Sequence, residues 1–201
     1  MDRELVKRTL SSIILFPIAF YALLAGSFFS IFFIIICFII ACYEWNKMSQ
    51  NKFDKIFGFI FLLFSFYTFY YLSTEVILLI FVILICISTD IGGYFFGKFF
   101  KGPKLTKISP KKTYSGVIGG YLFSIIFMAL FFNYADNISE ITNIETTAQE
   151  LSLNNFILTI FISTVSQLGD IFVSYFKRKS KIKDTGKIIP GHGGLLDRID
   201  G

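Results

Sequence analysis

Uninterrupted apolar runs constrain this chain more than any other feature. From Ser11 to Tyr43 the sequence is almost purely apolar, and further runs follow near 56–72, 76–96, 115–132 and 156–176. A run of about 17 to 25 such residues is long enough to cross a bilayer core as a helix. The helix is required because a segment in lipid must satisfy its own backbone N–H and C=O groups. The first run is too long for one untilted crossing, and Ala25-Gly26-Ser27 divides it into helices near 11–25 and 28–45. Pro17 is tolerated there, since neighbouring helices satisfy the carbonyl it frees. The chain reads as all-α, a single membrane-embedded domain over 1–201 with about six transmembrane helices. A hydrophobic content of 54%, with 27 Phe and a mean hydropathy of +0.67, excludes an ordinary soluble domain. Basic residues ahead of the first run resemble a signal peptide, but the run is too long and no small-residue cleavage site follows, so it reads as an uncleaved anchor.

The loops give the orientation. All 19 Lys and Arg lie in the lead at 1–10, the 46–55 loop, the 97–114 loop or the tail after residue 176. The loops near 26, 74 and 133–155 have none, and the last carries Asp136, Glu140, Glu145 and Glu150. Six helices with both chain ends on one side produce that alternation, and basic loops stay cytoplasmic. The sequence thus predicts an integral membrane protein with the N-terminus and the tail in the cytoplasm, and a bacterial-type inner membrane is the expected location. The net charge of +5 is explained by this placement and calls for no nucleic acid. Cys37, Cys42 and Cys86 sit inside apolar runs at no metal-ligand spacing and read as packing thiols.

Ionisable groups at helix edges are expensive in lipid and point to function. On the sixth helix Ser163, Ser166, Asp170, Ser174 and Lys177 follow steps of three or four and share one face. That stripe suits either a cavity or a buried polar seam between helices. Asp90 ends the fourth helix, with Ser88 before it and Tyr94 and Lys98 beyond it on one face; Gly92, Gly93 and Gly97 allow another helix to approach closely. Glu44 and Trp45 close the second helix, where Trp45 reads as an interfacial anchor and Glu44 has no assigned role. The Ser109–Gly116 loop sets Lys111 and Lys112 between a Pro and a Gly, where ammonium groups and loop amides could hold phosphate oxygens.

The tail, Ser174 to Gly201, differs from an ordinary juxtamembrane segment. Asp184, Asp197 and Asp200 are interspersed among its basic residues, and Gly191, Gly193 and Gly194 surround the only His, His192. Asp197 and Asp200 are three apart, so in a helical turn both carboxylates point the same way. With Asp170 they could form a hard oxygen site for Mg²⁺, which usually uses one or two carboxylates plus substrate phosphates. The glycines let backbone approach a ligand, and His192 could donate to a phosphate. Acidic metal ligands beside many cations are what phosphoryl or nucleotidyl transfer requires.

The pattern S-x-x-K-R-x4-K-D-x-G-x3-P-G-H-G-G-x-x-D-R-x-D, from Ser174 to Asp200, resembles the signature of phosphatidate cytidylyltransferases, the CDP-diacylglycerol synthases. Ser88-x-Asp90 with Tyr94 and Gly97-Lys98, the Ser109–Thr113 loop with Gly116, and Ser166-Gln167-x-Gly169-Asp170 are also similar to that family. The resemblance implies a reaction of CTP with phosphatidic acid to give CDP-diacylglycerol and pyrophosphate. It implies Asp170, Asp197 and Asp200 as metal carboxylates, with Asp184 and Asp90 as further candidates. Mg²⁺ is the implied metal, with room for a second cation. Lys111, Lys112, Lys177, Arg178, Lys183 and Arg198 would hold phosphates, Lys183, Asp184 and Arg198 counting among the catalytic set. Ser88, Asp90, Ser109, Ser174, His192, Gly193 and Gly194 would line the substrates. The catalytic loops are then 97–114 and 177–201. Family members are usually dimeric, which implies a homodimer. The family normally continues after D-R-x-D into another apolar helix, whereas this sequence stops at Gly201: either it is a fragment or the protein works with six helices, and a missing helix would bear on stability, activity and dimerisation.

Two other classes remain open on the residues alone. A CDP-alcohol phosphotransferase would need D-G-x-x-A-R followed by spaced aspartates, which the chain does not contain; a CTP-dependent polyprenol kinase would release CDP rather than pyrophosphate. An ion-coupled transporter could use Asp90 and Asp170 but leaves the Gly-His-Gly-Gly and Asp-Arg-Ile-Asp elements unexplained.

Overall fold

A computed structural model describes residues 3–24, 27–142 and 152–201. They form helices α1 (Arg3–Leu24), α2 (Ser27–Met48), α3 (Lys52–Ser73), α4 (Val76–Phe100), α5 (Tyr114–Thr142) and α6 (Leu153–Lys179). Among the described residues there is no strand, only two isolated bridges, Lys104 with Thr113 and Ile189 with Gly193. The protein is an all-α, polytopic integral membrane protein. Helices α2 to α6 are long and apolar enough to span a bilayer. The apolar part of α1, Thr9–Leu23, is shorter than the roughly 20 residues a perpendicular crossing takes.

Most helices outrun the apolar stretches that predict them. The 46–55 loop shrinks to 49–51, α4 continues to Phe100, and α6 reaches Lys179. The intrahelical ladder does not stop where the apolar residues do, and basic residues at the ends can lay their stems along the helix while their charges reach water. The expected acidic loop after residue 132 is helical as far as Thr142, because α5 continues through it. Ala25-Gly26 and the part of that loop holding Glu145 and Glu150 lie outside the described residues.

Packing divides the chain into two compact units. The first comprises Met1–Val76 and Val173–Asp200, which brings α1 to α3 together with the end of α6 and the tail. Its organising residue is Trp45, only 2% exposed. The indole Nε1 donates to the Asp54 carbonyl at 2.9 Å, and the ring lies so close over Gly58 that a Cβ there would overlap it. Phe176 packs against the indole, its ring centroid 4.8 Å away. Trp45 is therefore a buried core residue and not the expected interfacial anchor: a partner for its N–H inside the fold removes the reason to face the headgroups. Lys179 closes the arrangement with a 2.6 Å ion pair to the buried Asp54.

The second unit holds Ile77–Phe172, with Gly201. Phe81, Ile85, Met128 and Phe131 form its core, where α4 meets α5. Toward the other end glycines replace bulk. A Cβ on Gly92 would sit 2.3 Å from the Gly119 carbonyl oxygen, and one on Gly116 would sit 2.8 Å from that of Gly93. The expected close helix approach at Gly92 and Gly93 is thus made, and α5 is the helix that makes it. Small residues at such contacts let backbones pack without a side chain between them. Hydroxyls join α6 to the same bundle: Thr89 meets Ser163 at 2.9 Å and Tyr121 meets Thr164 at 2.9 Å.

Candidate active site

The basic loop of the second unit is folded by its own backbone. Leu105 N–H donates to the Lys112 carbonyl at 2.8 Å, and Lys112 N–H to the Ser109 carbonyl at 3.0 Å. Thr113 caps α5, its hydroxyl accepting from Gly116 N–H at 3.1 Å. Lys112 is thereby fixed one residue before the cap, and its Nζ reaches α6, meeting Asp170 Oδ2 at 2.6 Å and the Gln167 carbonyl at 3.1 Å. Lys111 is exposed and Ser109 half-buried. Asp90 is exposed at the polar end of α4, within electrostatic reach of both Asp170 and Lys112.

The expected stripe on α6 divides by depth. Ser163 and Ser166 are buried and belong to the seam between helices, whereas Asp170 is partly exposed. Ser88 is buried and its hydroxyl bonds back to the Ile85 carbonyl at 2.9 Å. In this structure its hydroxyl is spent within α4.

The tail folds within the first unit around Lys177 and Asp197. Lys177 Nζ lies 2.9 Å from Asp197 Oδ1 and 3.5 Å from Asp200 Oδ2, so the shared orientation expected of Asp197 and Asp200 is realised on one lysine. The other Asp197 oxygen, Oδ2, accepts from Thr185 N–H at 2.8 Å, Gly194 N–H at 3.0 Å and the Thr185 hydroxyl at 3.1 Å. Burial on its own raises the Asp197 carboxyl, but the bond from Lys177 and the amides of Gly194 and Thr185 outweigh it and hold the group below the usual carboxylate range.

His192 and the glycines around it are engaged within the first unit. The imidazole Nδ1 is 2.8 Å from the Ser11 hydroxyl and Nε2 is 3.3 Å from that of Ser12, so both ring nitrogens face α1. Arg198 donates through Nε and Nη2 to the His192 carbonyl, at 3.2 and 2.7 Å. Gly191 and Gly193 take positive φ, 76° and 91°, in a tight turn closed by Ile189 and Gly193. At Gly194 a Cβ would collide with the Thr185 hydroxyl and the Glu44 carboxylate. The glycines around His192 serve the fold of the tail. Arg178, Lys183 and Asp184 are exposed, and Ser174 is half-buried on α6.

Asp170, Asp197 and Asp200 were expected to share a metal. Among the described residues no group of three or more His, Cys, Asp or Glu is gathered closely enough to hold one. Both oxygens of Asp197 are already engaged by the tail's own donors. Asp170 is engaged too, by Lys112 through Oδ2, but Asp90 lies within electrostatic reach of it, and a pair of carboxylates suits the donor chemistry of Mg²⁺, which takes only one or two and completes its shell with phosphates and water.

Glu44, Thr185 and Ser11 were not assigned from sequence. The one available signal was the isolated acid closing an apolar helix next to Trp45, a costly placement.

Each unit thus holds a lysine–carboxylate pair, Lys112 with Asp170 in the second and Lys177 with Asp197 in the first, within an integral membrane protein. The chain belongs to the cytidylyltransferase family, whose profile matches residues 6–77 and 55–201. It is 36% identical over 203 residues to the phosphatidate cytidylyltransferase of Rickettsia felis, covering 96% of this chain and 85% of that protein. The phosphatidate cytidylyltransferase of Rickettsia conorii is 39% identical over 164 residues, 78% of this chain and 68% of its own length. That of Haemophilus influenzae is 38% identical over 125 residues, which is 61% of this chain and 41% of that protein.

Proposed function

We infer that this chain transfers cytidylate from CTP to phosphatidic acid, giving CDP-diacylglycerol and pyrophosphate. The observation that carries this reading is the match over nearly the whole chain to a protein of that name. The site chemistry supports it. A phosphate oxygen of the lipid forms the new bond to the α-phosphorus of CTP. The bond from that phosphorus to the bridging oxygen breaks, and pyrophosphate leaves with the electron pair. The attacking phosphate is already ionised and needs no general base. What the protein supplies is positioning and charge. Lys111, Arg178 and Lys183 are exposed cations for phosphate oxygens. Lys112 and Lys177 hold Asp170 and Asp197 in fixed orientations. Asp90 and Asp170 would hold Mg²⁺, which when bound neutralises the reacting phosphates. The alternation of basic loops supports a cytoplasmic N-terminus and tail, and in this reading the chain lies in a bacterial-type inner membrane with CTP on the tail's side. The apolar helices give phosphatidic acid lateral access, and a homodimer is the assembly this reading carries forward.

The test uses the purified chain in detergent with phosphatidic acid, Mg²⁺ and CTP labelled at the α-phosphorus. Label should enter the organic phase with equimolar pyrophosphate. Transfer from γ-labelled CTP with release of CDP would indicate a kinase and overturn the reading, as would turnover independent of lipid. Asp170→Asn should abolish transfer while the protein stays folded, and Lys112→Met should lower it by about 10²-fold, since both the lysine and the orientation of Asp170 are lost. Full activity in either variant would remove that pair from the site.

A further inference from the structure

We propose that Glu44, at the end of α2, is a positioning residue for the transfer reaction, fixing the tail turn that presents Asp197 and Lys177. The proposal rests on the transfer reading for its chemistry, but its geometry stands within the first unit.

Glu44 is 1% exposed. Among the described residues it forms no ion pair. Its charge is met by hydrogen-bond donors of the tail: Leu195 N–H to Oε1 at 3.0 Å, Leu196 N–H to Oε2 at 2.9 Å, and the Thr185 hydroxyl to Oε2 at 3.1 Å. The two amides open the turn that Arg198 N–H closes on the Leu195 carbonyl at 2.9 Å. A carboxylate over the first amides of a turn satisfies donors that the turn itself leaves free.

The tail backbone closes on this carboxylate from two sides. A Cβ at Gly186 would lie 2.6 Å from Oε1, and one at Gly194 would lie 2.6 Å from Oε2. The Thr185 hydroxyl is also 3.1 Å from Asp197 Oδ2, so it has two carboxylate neighbours and one proton to share between them. Glu44 thus sets the position of 185–186 and of 194–196 at once. Asp197 follows from both, through the amides of Thr185 and Gly194, and Lys177 follows from Asp197. Displacement of a catalytic group by about 1 Å can cost about 10²-fold in rate even when the mutation is remote.

Glu44→Gln preserves shape but supplies one acceptor oxygen, so an amide N–H₂ must face a tail donor. The full chain in detergent is followed by transfer kinetics and by limited trypsin digestion at the exposed Lys181, Lys183 and Lys187. The expected result is a fall in kcat of about 10²-fold, a smaller change in KM for CTP, and tail cleavage faster by about tenfold with the membrane helices intact. Glu44→Asp, which restores the charge on a shorter stem, should recover part of both losses. Should Glu44→Gln fail to accumulate, Thr185→Val decides: it leaves both amide bonds to Glu44 and removes the shared hydroxyl, and it should also lower kcat and expose the tail. Wild-type kcat with wild-type tail protection in the folded variants would overturn the proposal. So would a loss of kcat with no change in tail protection, because Glu44 would then act by another route. If the wild-type chain makes no CDP-lipid, the transfer reading falls, while the trypsin comparison still decides whether Glu44 holds the tail.

Discussion

Asp197→Asn is expected to abolish turnover and to lower thermal stability while leaving the protein able to insert. The Asp197 side chain is 6% exposed and that of Lys177 12%, so their ion pair is largely removed from water. An asparagine fits the space but not the donors. If its N–H₂ takes the place of Oδ2, it faces two amides and a hydroxyl; if it turns the other way, it faces the ammonium of Lys177. Breaking a buried pair by removing one partner typically costs about 3–5 kcal/mol. Asp200 still lies 3.5 Å from Lys177, which favours the lower end of that range. Thermal unfolding and label transfer, measured on the same preparation, provide the check. Wild-type values for both would remove Asp197 from the site.

The pH dependence of the same variant has a definite sign. The folded Asp197 carboxyl titrates below the usual range, so its contribution to stability is complete above the unfolded value, about 3.9 for an Asp. It is lost as pH falls through the depressed folded value. Part of the wild-type protein's acid destabilisation should therefore be missing in Asp197→Asn.

Gly92→Ala is expected to reduce the stability of the second unit sharply. The added carbon would lie 2.3 Å from the Gly119 carbonyl oxygen and 2.7 Å from the Phe123 Cβ. The first obstacle is backbone, which has no rotamer to escape into, so α4 and α5 must separate. Overpacking of this kind costs typically about 1–3 kcal/mol and sometimes more. Gly93→Ala is the matched control, because its Cβ would sit 3.6 Å from the Gly116 carbonyl oxygen, an ordinary contact. It should be neutral, or stabilising by up to about 1 kcal/mol from the lower backbone entropy of Ala in a helix. Equal melting temperatures for Gly92→Ala and wild type would argue against so close an approach of α4 and α5.

Much of this fold is legible in the sequence because lipid enforces a simple rule. Apolar runs of bilayer length have to be helical, and all the expected helices form. Their ends are less legible, since backbone hydrogen bonding carries a helix past the last apolar residue. The Gly92–Gly93 contact was readable because a glycine in a membrane helix has few uses other than close approach. In the site, the partners of individual residues were not legible. His192 and the surrounding glycines read as ligand-binding groups, yet His192 bonds to Ser11 and the glycines make room for a turn and for Glu44. Spacing along the chain cannot show this, because Ser11 and Glu44 come from helices far upstream. Asp197 illustrates the same limit: a carboxylate in a basic segment suits a metal and a lysine equally, and only its hydrogen bonds show what engages it here.

One consequence follows from the fit of Gly186 and Gly194 against Glu44, which stands 151 positions before Leu195. The glycines and the glutamate amount to a single steric decision written in two distant places. A larger residue at either glycine is tolerable only with a smaller one at position 44, and at Gly194 only if Thr185 gives way as well. Grafted onto a membrane scaffold that lacks this acid, the tail would be spelt correctly and shaped wrongly.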